Sequence, residues 1–355
     1  MIKYLGSKRT LVPVLAEIAV GAGARTALDL FTGTTRVAQE LKRRGLVVTA
    51  TDLATYAAVL SDCYVATDAA AVDADELAAE LRRLDALPGH RGYVTETFCE
   101  RARFFRPENG CRIDAIRDEI DRAHPPGSPL RPILLTSLLI AADRVDSTIG
   151  IQMAYLKEWA PRSLRPLALE APCLLPGVGR TVLGDAMVTV DALAPVDLAY
   201  VDPPYNHHRY FSNYHIWETL VRWDAPEHYG VACKRVDVRD DATRSVFNSR
   251  AEMPAALARL LLRLRAEVVV VSYNDESWVS AADIDGMLRA AGHEEVVTLA
   301  FDRKRHVGAQ IGIHGPSGVR VGEVGRLRNV EYLFVAGDRD RTRAAAALAA
   351  ARPTG

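Results

Sequence analysis

Apolar residues recur along this chain with two periods, and the points where one gives way to the other outline a fold. Thr26 to Leu30 reads as a short buried strand and Phe31 to Thr35 as a turn. Arg36 to Arg44 reads as a helix with Val37 and Leu41 on one face, stopped by Gly45. Leu46 to Thr51 is a second strand that ends at Asp52. Strand, helix and strand in succession form the βαβ unit of a parallel sheet. From about Leu60 to Pro176 the pattern turns helical and no clear strand is expected. Helices are predicted over Asp73 to Leu84, Arg112 to Ala123 and Pro132 to Asp146, with the Pro- and Gly-rich break Ala123 to Pro129 between the last two. Strand patterns return at Arg180 to Leu183, Asp197 to Val201, Ala266 to Ser272, Glu295 to Phe301 and Val330 to Ala336. Predicted helices Ala255 to Arg265 and Ser280 to Ala291 alternate with the later strands. That alternation predicts an α/β domain with a mostly parallel sheet and helices on both faces. The expected organisation is a catalytic α/β domain of residues 1–59 and 179–338, split by a helical insertion at 60–178. Residues 339–355 form a C-terminal tail, expected to be a frayed or solvent-facing helix.

Composition narrows the class but not the chemistry. Apolar residues make up 49% of the 355, enough for a sizeable core. The formal charge of −1 excludes a polycation, although a basic face can hide within a neutral total. Five scattered cysteines without a CxxC pair indicate reduced thiols, neither a disulfide framework nor a zinc site. The N-terminus lacks the apolar core of a signal peptide, and the longest apolar stretch, Pro132 to Ala142, is too short for a membrane span. A cytoplasmic protein is expected.

Candidate chemistry sits where the predicted strands end. Asp202-Pro203-Pro204-Tyr205 follows the strand Asp197 to Val201 directly, at the edge where α/β sheets bind ligands. The prolines remove two backbone donors and leave carbonyl acceptors. A carboxylate, a free carbonyl and an aromatic face suit an exocyclic amino group on a planar base. Asp202 and the Pro203 carbonyl can accept its two hydrogens and localise the nitrogen lone pair, while Tyr205 stacks on the ring. After the first strand, Asp29, Phe31 and Gly33 form a turn in which Gly33 permits close backbone approach to a ligand. Asp52 ends the next strand, where Rossmann-like sites place the acid that binds ribose hydroxyls. The full G-x-G-x-x-G is absent, which favours a nucleoside cofactor smaller than a dinucleotide. Asp185, after the strand Arg180 to Leu183, either accepts from an adenine amino group or caps a helix. Tyr4 and Lys8 belong to an N-terminal run, Lys3-Tyr4-Leu5-Gly6-Ser7-Lys8, able to meet a cofactor and an anionic group.

Together these motifs resemble, in order and over most of the chain, the alpha-class, Dam-like DNA adenine-N6 methyltransferases. Tyr205 to Tyr210, Asn213 to His215, Phe104 to Ile120 and Ala142 to Lys157 resemble the FokI-type members. The resemblance implies a Rossmann-like class I S-adenosylmethionine-dependent methyltransferase fold with a mostly helical inserted target-recognition domain. It implies S-adenosylmethionine as cofactor and no metal. Tyr4, Lys8, Asp29, Phe31, Gly33, Asp52 and Asp185 are implied cofactor contacts, and Asp202, Pro203, Pro204 and Tyr205 the catalytic motif. It further implies base flipping of double-stranded DNA. The family's cofactor loop reads F-x-G-x-G, and here Thr35 replaces the second glycine.

Phosphate contacts require basic side chains. Arg209, Lys234 and Arg235 follow the catalytic motif, and Arg303, Lys304 and Arg305 open a basic, Gly-rich stretch. A monomer or weak dimer is expected, with a cognate restriction endonuclease as a candidate companion. The alternatives are cytosine-N4 methylation, RNA or protein-amide methylation, and a catalytically impaired DNA-binding relative.

Overall fold

A computed structural model describes residues 2–4, 8–204, 209–304 and 328–351. Tyr205 of the catalytic motif and Arg305 of the basic stretch therefore lie outside the described residues. The elements run α1 (Val12–Gly21), β1 (Thr26–Asp29), α2 (Arg36–Arg43), β2 (Val47–Asp52) and α3 (Thr55–Ser61). Then come α4 (Ala74–Asp85), α5 (Pro107–Ala123), α6 (Arg131–Val145), β3 (Gly179–Leu183), α7 (Ala186–Thr189) and β4 (Val196–Val201). The remainder is α8 (Tyr210–Asn213), α9 (His215–Arg222), β5 (His228–Tyr229), β6 (Lys234–Arg235), α10 (Met253–Arg263), β7 (Ala266–Asn274), α11 (Ala281–Ala290), β8 (Glu295–Lys304), β9 (Arg328–Gly337) and α12 (Arg339–Ala350). Several helix starts follow from local chemistry. Pro13, Pro107 and Pro132 occupy first-turn positions, where a missing N–H costs nothing. Asp73 caps α4 and a Ser280–Asp283 capping box opens α11.

Seven strands form one sheet in the order β3-β2-β1-β4-β7-β9-β8. β9 pairs antiparallel with both neighbours, and the other pairings are parallel. The chain builds outward from β1 through β2 and β3, then returns to lay β4 on the other side of β1. The carboxyl ends of β1 and β4 therefore flank the topological switch point, where open α/β sheets bind ligands. The Rossmann-like α/β class implied by the resemblance is present.

Side chains alternate between two cores, as the period of a strand requires. On β4, Leu198 and Tyr200 enter one core and Ala199 and Val201 the other; Val268 and Val270 against Val269 and Val271 do the same on β7. The first core also takes Leu77 and Leu81 of α4, Ile113 and Ile116 of α5 and Ile133 and Leu134 of α6. α4, α5 and α6 thus share a core with the sheet. Arg117 of α5 reinforces the junction: fully buried, its guanidinium donates to the carbonyls of Leu220 (2.7 Å) and Val221 (3.2 Å) at the end of α9.

The C-terminal helix departs from the sequence expectation. Thr342, Ala345, Ala346 and Ala349 are buried along one face of α12. A Cβ on Gly21 would fall 2.7 Å from the Cα of Ala345, so the small residues let α12 and α1 approach backbone to backbone.

Candidate active site

The acids identified in the sequence converge on the carboxyl edge of the sheet. A cleft of about 830 Å³, including its open mouth, is lined by Phe31 after β1, Asp52, Leu53 and Ala54 after β2, and Gly184 and Asp185 after β3. Asp202 and Pro204 after β4, Tyr4 from the N-terminal segment, and Tyr210 and Phe211 of α8 line it as well. A recess of about 340 Å³ shares Tyr4, Phe31 and Asp202 with it and adds Lys8, Asp29, Gly33 and Arg36.

The turn after β1 is tied down by these carboxylates. Asp52 accepts the Gly33 N–H (2.8 Å) through one oxygen and the Ala54 N–H (2.9 Å) through the other. Oδ2 of Asp29 accepts the Thr32 hydroxyl (2.9 Å) and the Ala38 N–H (3.1 Å), whereas its buried Oδ1 has no hydrogen-bond partner among the described residues. Gly33 has φ +51°, and a Cβ there would lie 3.0 Å from the Tyr4 hydroxyl, so glycine fits on two counts. Thr35 keeps the left-handed backbone (φ 62°) of a second glycine while fully buried. Its hydroxyl donates to the Thr34 carbonyl (2.6 Å) and accepts from the Gln39 amide (2.7 Å). Those bonds offset part of a strain on the order of 1–3 kcal/mol for a β-branched residue in this region.

Electrostatically the site is rich in carboxylates. Burial raises the Asp29 carboxyl to about 7, against the lowering effect of the Thr32 hydroxyl, with the nearby Asp202 charge adding to the rise. Burial raises Asp52 as well, despite the N–H groups it accepts. Asp202 reaches about 6: burial lifts it, the Lys8 ammonium pulls it down, and Glu331 lifts it again. Lys8 Nζ lies 3.2 Å from Asp202 Oδ1 and also donates to Glu331, with 5% of its side chain exposed. Tyr4 packs against both Tyr214 (4.7 Å) and Tyr210 (5.2 Å), and burial raises its phenol.

Asp29, Phe31, Gly33, Asp52, Asp185, Tyr4, Lys8 and Asp202 therefore stand around one cleft and its recess. Asp185 also caps α7, its carboxylate accepting the Met187 N–H (2.7 Å). Pro203 is buried and Pro204 half-buried. Of the basic residues expected on DNA, Arg209 is exposed directly before α8 and Lys234 is half-buried. Arg303 and Lys304 end β8 at the same sheet edge. Arg235 is a correction. It is 1% exposed and its guanidinium is consumed by Asp224 and Asp237, so it cannot reach a phosphate. Its charge was visible in the sequence, but its burial was not.

Sequence reasoning missed one wall of the cleft. Thr243, Ser245, Phe247 and Asn248 come from short 3₁₀ turns without hydrophobic periodicity. Phe247 meets Phe31 edge-on at 5.1 Å. Glu331 was missed as well, since nothing near it in sequence marks it as a partner of Lys8.

The sequence profile of the D12 class N6 adenine-specific DNA methyltransferases matches residues 4–280. The chain is 29% identical to the type II methyltransferase M.NlaIII of Neisseria lactamica over 314 residues, covering 84% of this chain and 91% of that protein. It is 29% identical to M.CviAII of Paramecium bursaria Chlorella virus 1 over 306 residues, 83% and 90% of the two chains. With M.FokI of Planomicrobium okeanokoites it shares 27% over 316 residues, which are 82% of this chain but 47% of that longer protein. With the profile spanning most of its length and the acidic cleft at the switch point, the chain belongs to the D12 class of N6 adenine-specific DNA methyltransferases.

Proposed function

We propose that the chain transfers a methyl group from S-adenosylmethionine to N6 of an adenine turned out of duplex DNA into the mouth of the cleft. The observation that carries this reading is Asp202, placed at the carboxyl end of β4 where the cleft meets the recess, with its carboxylate facing a buried lysine. The flipped adenine needs acceptors for its two amino hydrogens. The Asp202 carboxylate takes one and the Pro203 carbonyl the other, which builds electron density on N6. Tyr205 is the stacking partner in this scheme, on the strength of the family motif.

The residues present fit the cofactor. Asp29, Asp52, Asp185 and Asp202 outnumber the two cations, Lys8 and Arg36, so the paired cavities suit a positively charged ligand. The unpartnered Asp29 Oδ1 is an acceptor for its ammonium, and the glycine at position 33 leaves room beside Tyr4. Asp52, which lines the cleft, takes the ribose hydroxyls in this reading, and Phe31 with Phe247 offers aromatic walls to the adenine. When bound, S-adenosylmethionine supplies an activated methyl group on a sulfonium.

For the DNA face we propose Arg209, Lys234, Arg303, Lys304 and Arg305, together with the insertion of residues 60–178 as target-recognition region. This region exposes Ile149 (67%) and Leu164 (64%), and its Arg103 lies over the Trp159 ring at 4.7 Å. Apolar tips among basic and aromatic side chains suit contact with bases and backbone. The relatives are named type II methyltransferases, which supports a restriction–modification role beside a cognate endonuclease, in the cytoplasm at the nucleoid. No described helix is long and apolar enough to cross a membrane. Replacing Asp202 with Ala should abolish methyl transfer to duplex DNA while calorimetry still detects cofactor binding. Transfer at the wild-type rate by that variant would refute the reading.

A further inference from the structure

Glu331 belongs to none of the motifs that mark the site, yet it reaches the site's centre. Its strand explains how. β9 is the antiparallel strand of the sheet, so its amino-terminal end arrives at the edge where the parallel strands end. Glu331 sits near that end, opposite Asn274 of β7 and Phe301 of β8. There its carboxylate accepts from Lys8 Nζ, which simultaneously lies 3.2 Å from Asp202 Oδ1. The side chains of Lys8, Glu331 and Asp202 are 5%, 15% and 17% exposed, so water screens the trio weakly.

An ammonium on a four-carbon stem would close on a single carboxylate if only one were present, and would then compete for the oxygens that an incoming amino group needs. A second carboxylate on a rigid strand divides the lysine between two partners. We propose that Glu331 is a positioning residue, which shares the Lys8 ammonium with Asp202 and so keeps the catalytic carboxylate open to the target amino group. The inference rests on the reading of Asp202 given above.

The groups facing Asp202 are Lys8 from the N-terminal segment, Glu331 from β9, Tyr200 from β4 and Asp29 from β1, with Arg36 of α2 across the recess. Removing the charge of Glu331 takes a like charge away from Asp202 and frees Lys8 to close on it. Both effects favour the ionised form of Asp202.

The test measures methyl transfer to duplex DNA across pH 5–9 in Glu331→Gln, Glu331→Asp, Lys8→Met and the Lys8→Met/Glu331→Gln double variant. Glu331→Gln should lose kcat about tenfold on the plateau and shift its acid limb to lower pH by about one unit. Its affinity for S-adenosylmethionine should stay within about twofold. Glu331→Asp keeps the charge on a shorter arm; its plateau should fall while its limb stays put. In the Lys8→Met background the sign should reverse, because there Glu331 faces Asp202 as an unbalanced like charge. The double variant should then be more active near neutrality than Lys8→Met alone. An unchanged plateau and limb in Glu331→Gln, or the same loss with and without Lys8, would overturn the inference. Asp202→Ala in the same assay separates the two levels. Full activity there defeats the reading of the site, whereas an inactive Asp202→Ala beside an unperturbed Glu331→Gln defeats the positioning role alone.

Discussion

Arg235 offers a test in which stability and DNA binding give opposite answers. Its sequence context suggested a phosphate contact, and its environment says otherwise. Nε and Nη2 donate to Asp237 (3.0 and 2.8 Å), while Nη1 and Nη2 donate to Asp224 (2.7 and 2.6 Å). Nη1 also reaches the Thr219 hydroxyl at 3.3 Å. Arg235→Met keeps the apolar stem and removes the charge. Breaking a buried pair of this kind costs roughly 3–5 kcal/mol. Here Asp224 and Asp237 keep 29% and 25% of their side chains exposed and retain Arg222 at 2.9 and 3.0 Å, which moves the expected cost to about 2–3 kcal/mol. With an unfolding entropy of about 2.1 cal/mol/K per residue, a chain of 355 residues should lose about 3–4 °C in Tm. Burial raises the two carboxyls, but the bonds from Arg235 outweigh it and hold both below the usual range. Their contribution is therefore present above the unfolded pKa of about 3.9 and is lost as pH falls through the depressed values, so the Tm gap should close in acid. Calorimetric melting of both proteins from pH 3 to 8 reads this directly. In parallel, the slope of log K for DNA against log salt should not change, whereas loss of one phosphate contact would reduce it by about 0.9. An unmoved Tm with a shallower salt slope would refute the structural assignment.

Asp29 gives a pH-dependent expectation for the cofactor. Its carboxyl sits at about 7, so a cationic ligand paired with the ionised form should bind about tenfold more weakly per pH unit below that value. Affinity should level off above it, and Asp29→Asn should flatten the profile; a wild-type profile already flat from pH 5.5 to 8 in calorimetry would contradict the pairing. Gly33→Ala should cost about 1–2 kcal/mol from its positive φ. It should also displace Tyr4 and weaken cofactor binding, so a variant with wild-type Tm and affinity would show that the close approach is not required.

What could be read from the sequence, and what could not, divides by distance along the chain. The acids at strand ends were legible because each is specified locally: a strand-patterned run, then Asp29, Asp52, Asp185 or Asp202, at the edge that every parallel strand shares. Glu331 is 323 residues from Lys8 and arrives only because one strand runs backwards, a fact of topology that no local pattern carries. The wall from Thr243 to Asn248 is likewise built from turns whose backbone direction depends on what they pack against. Two other differences had signals that charge and composition obscured. Arg235 stands between Asp224 and Asp237, a spacing that allows a bidentate cage, but a basic residue after a catalytic motif invites a phosphate reading. In α12, Thr342, Ala345, Ala346 and Ala349 repeat at helical spacing, the mark of a buried stripe; because the stripe is made of small residues it reads as weakly apolar, although small size is what lets the helix press against Gly21. Thr35 makes the converse point. Its identity departs from the family loop, yet its backbone keeps the conformation that a glycine would adopt, because Asp52, Asp29 and its own hydroxyl over-determine the turn. Substitution at a motif position therefore changes the local energy more than the geometry when the surrounding acceptors remain.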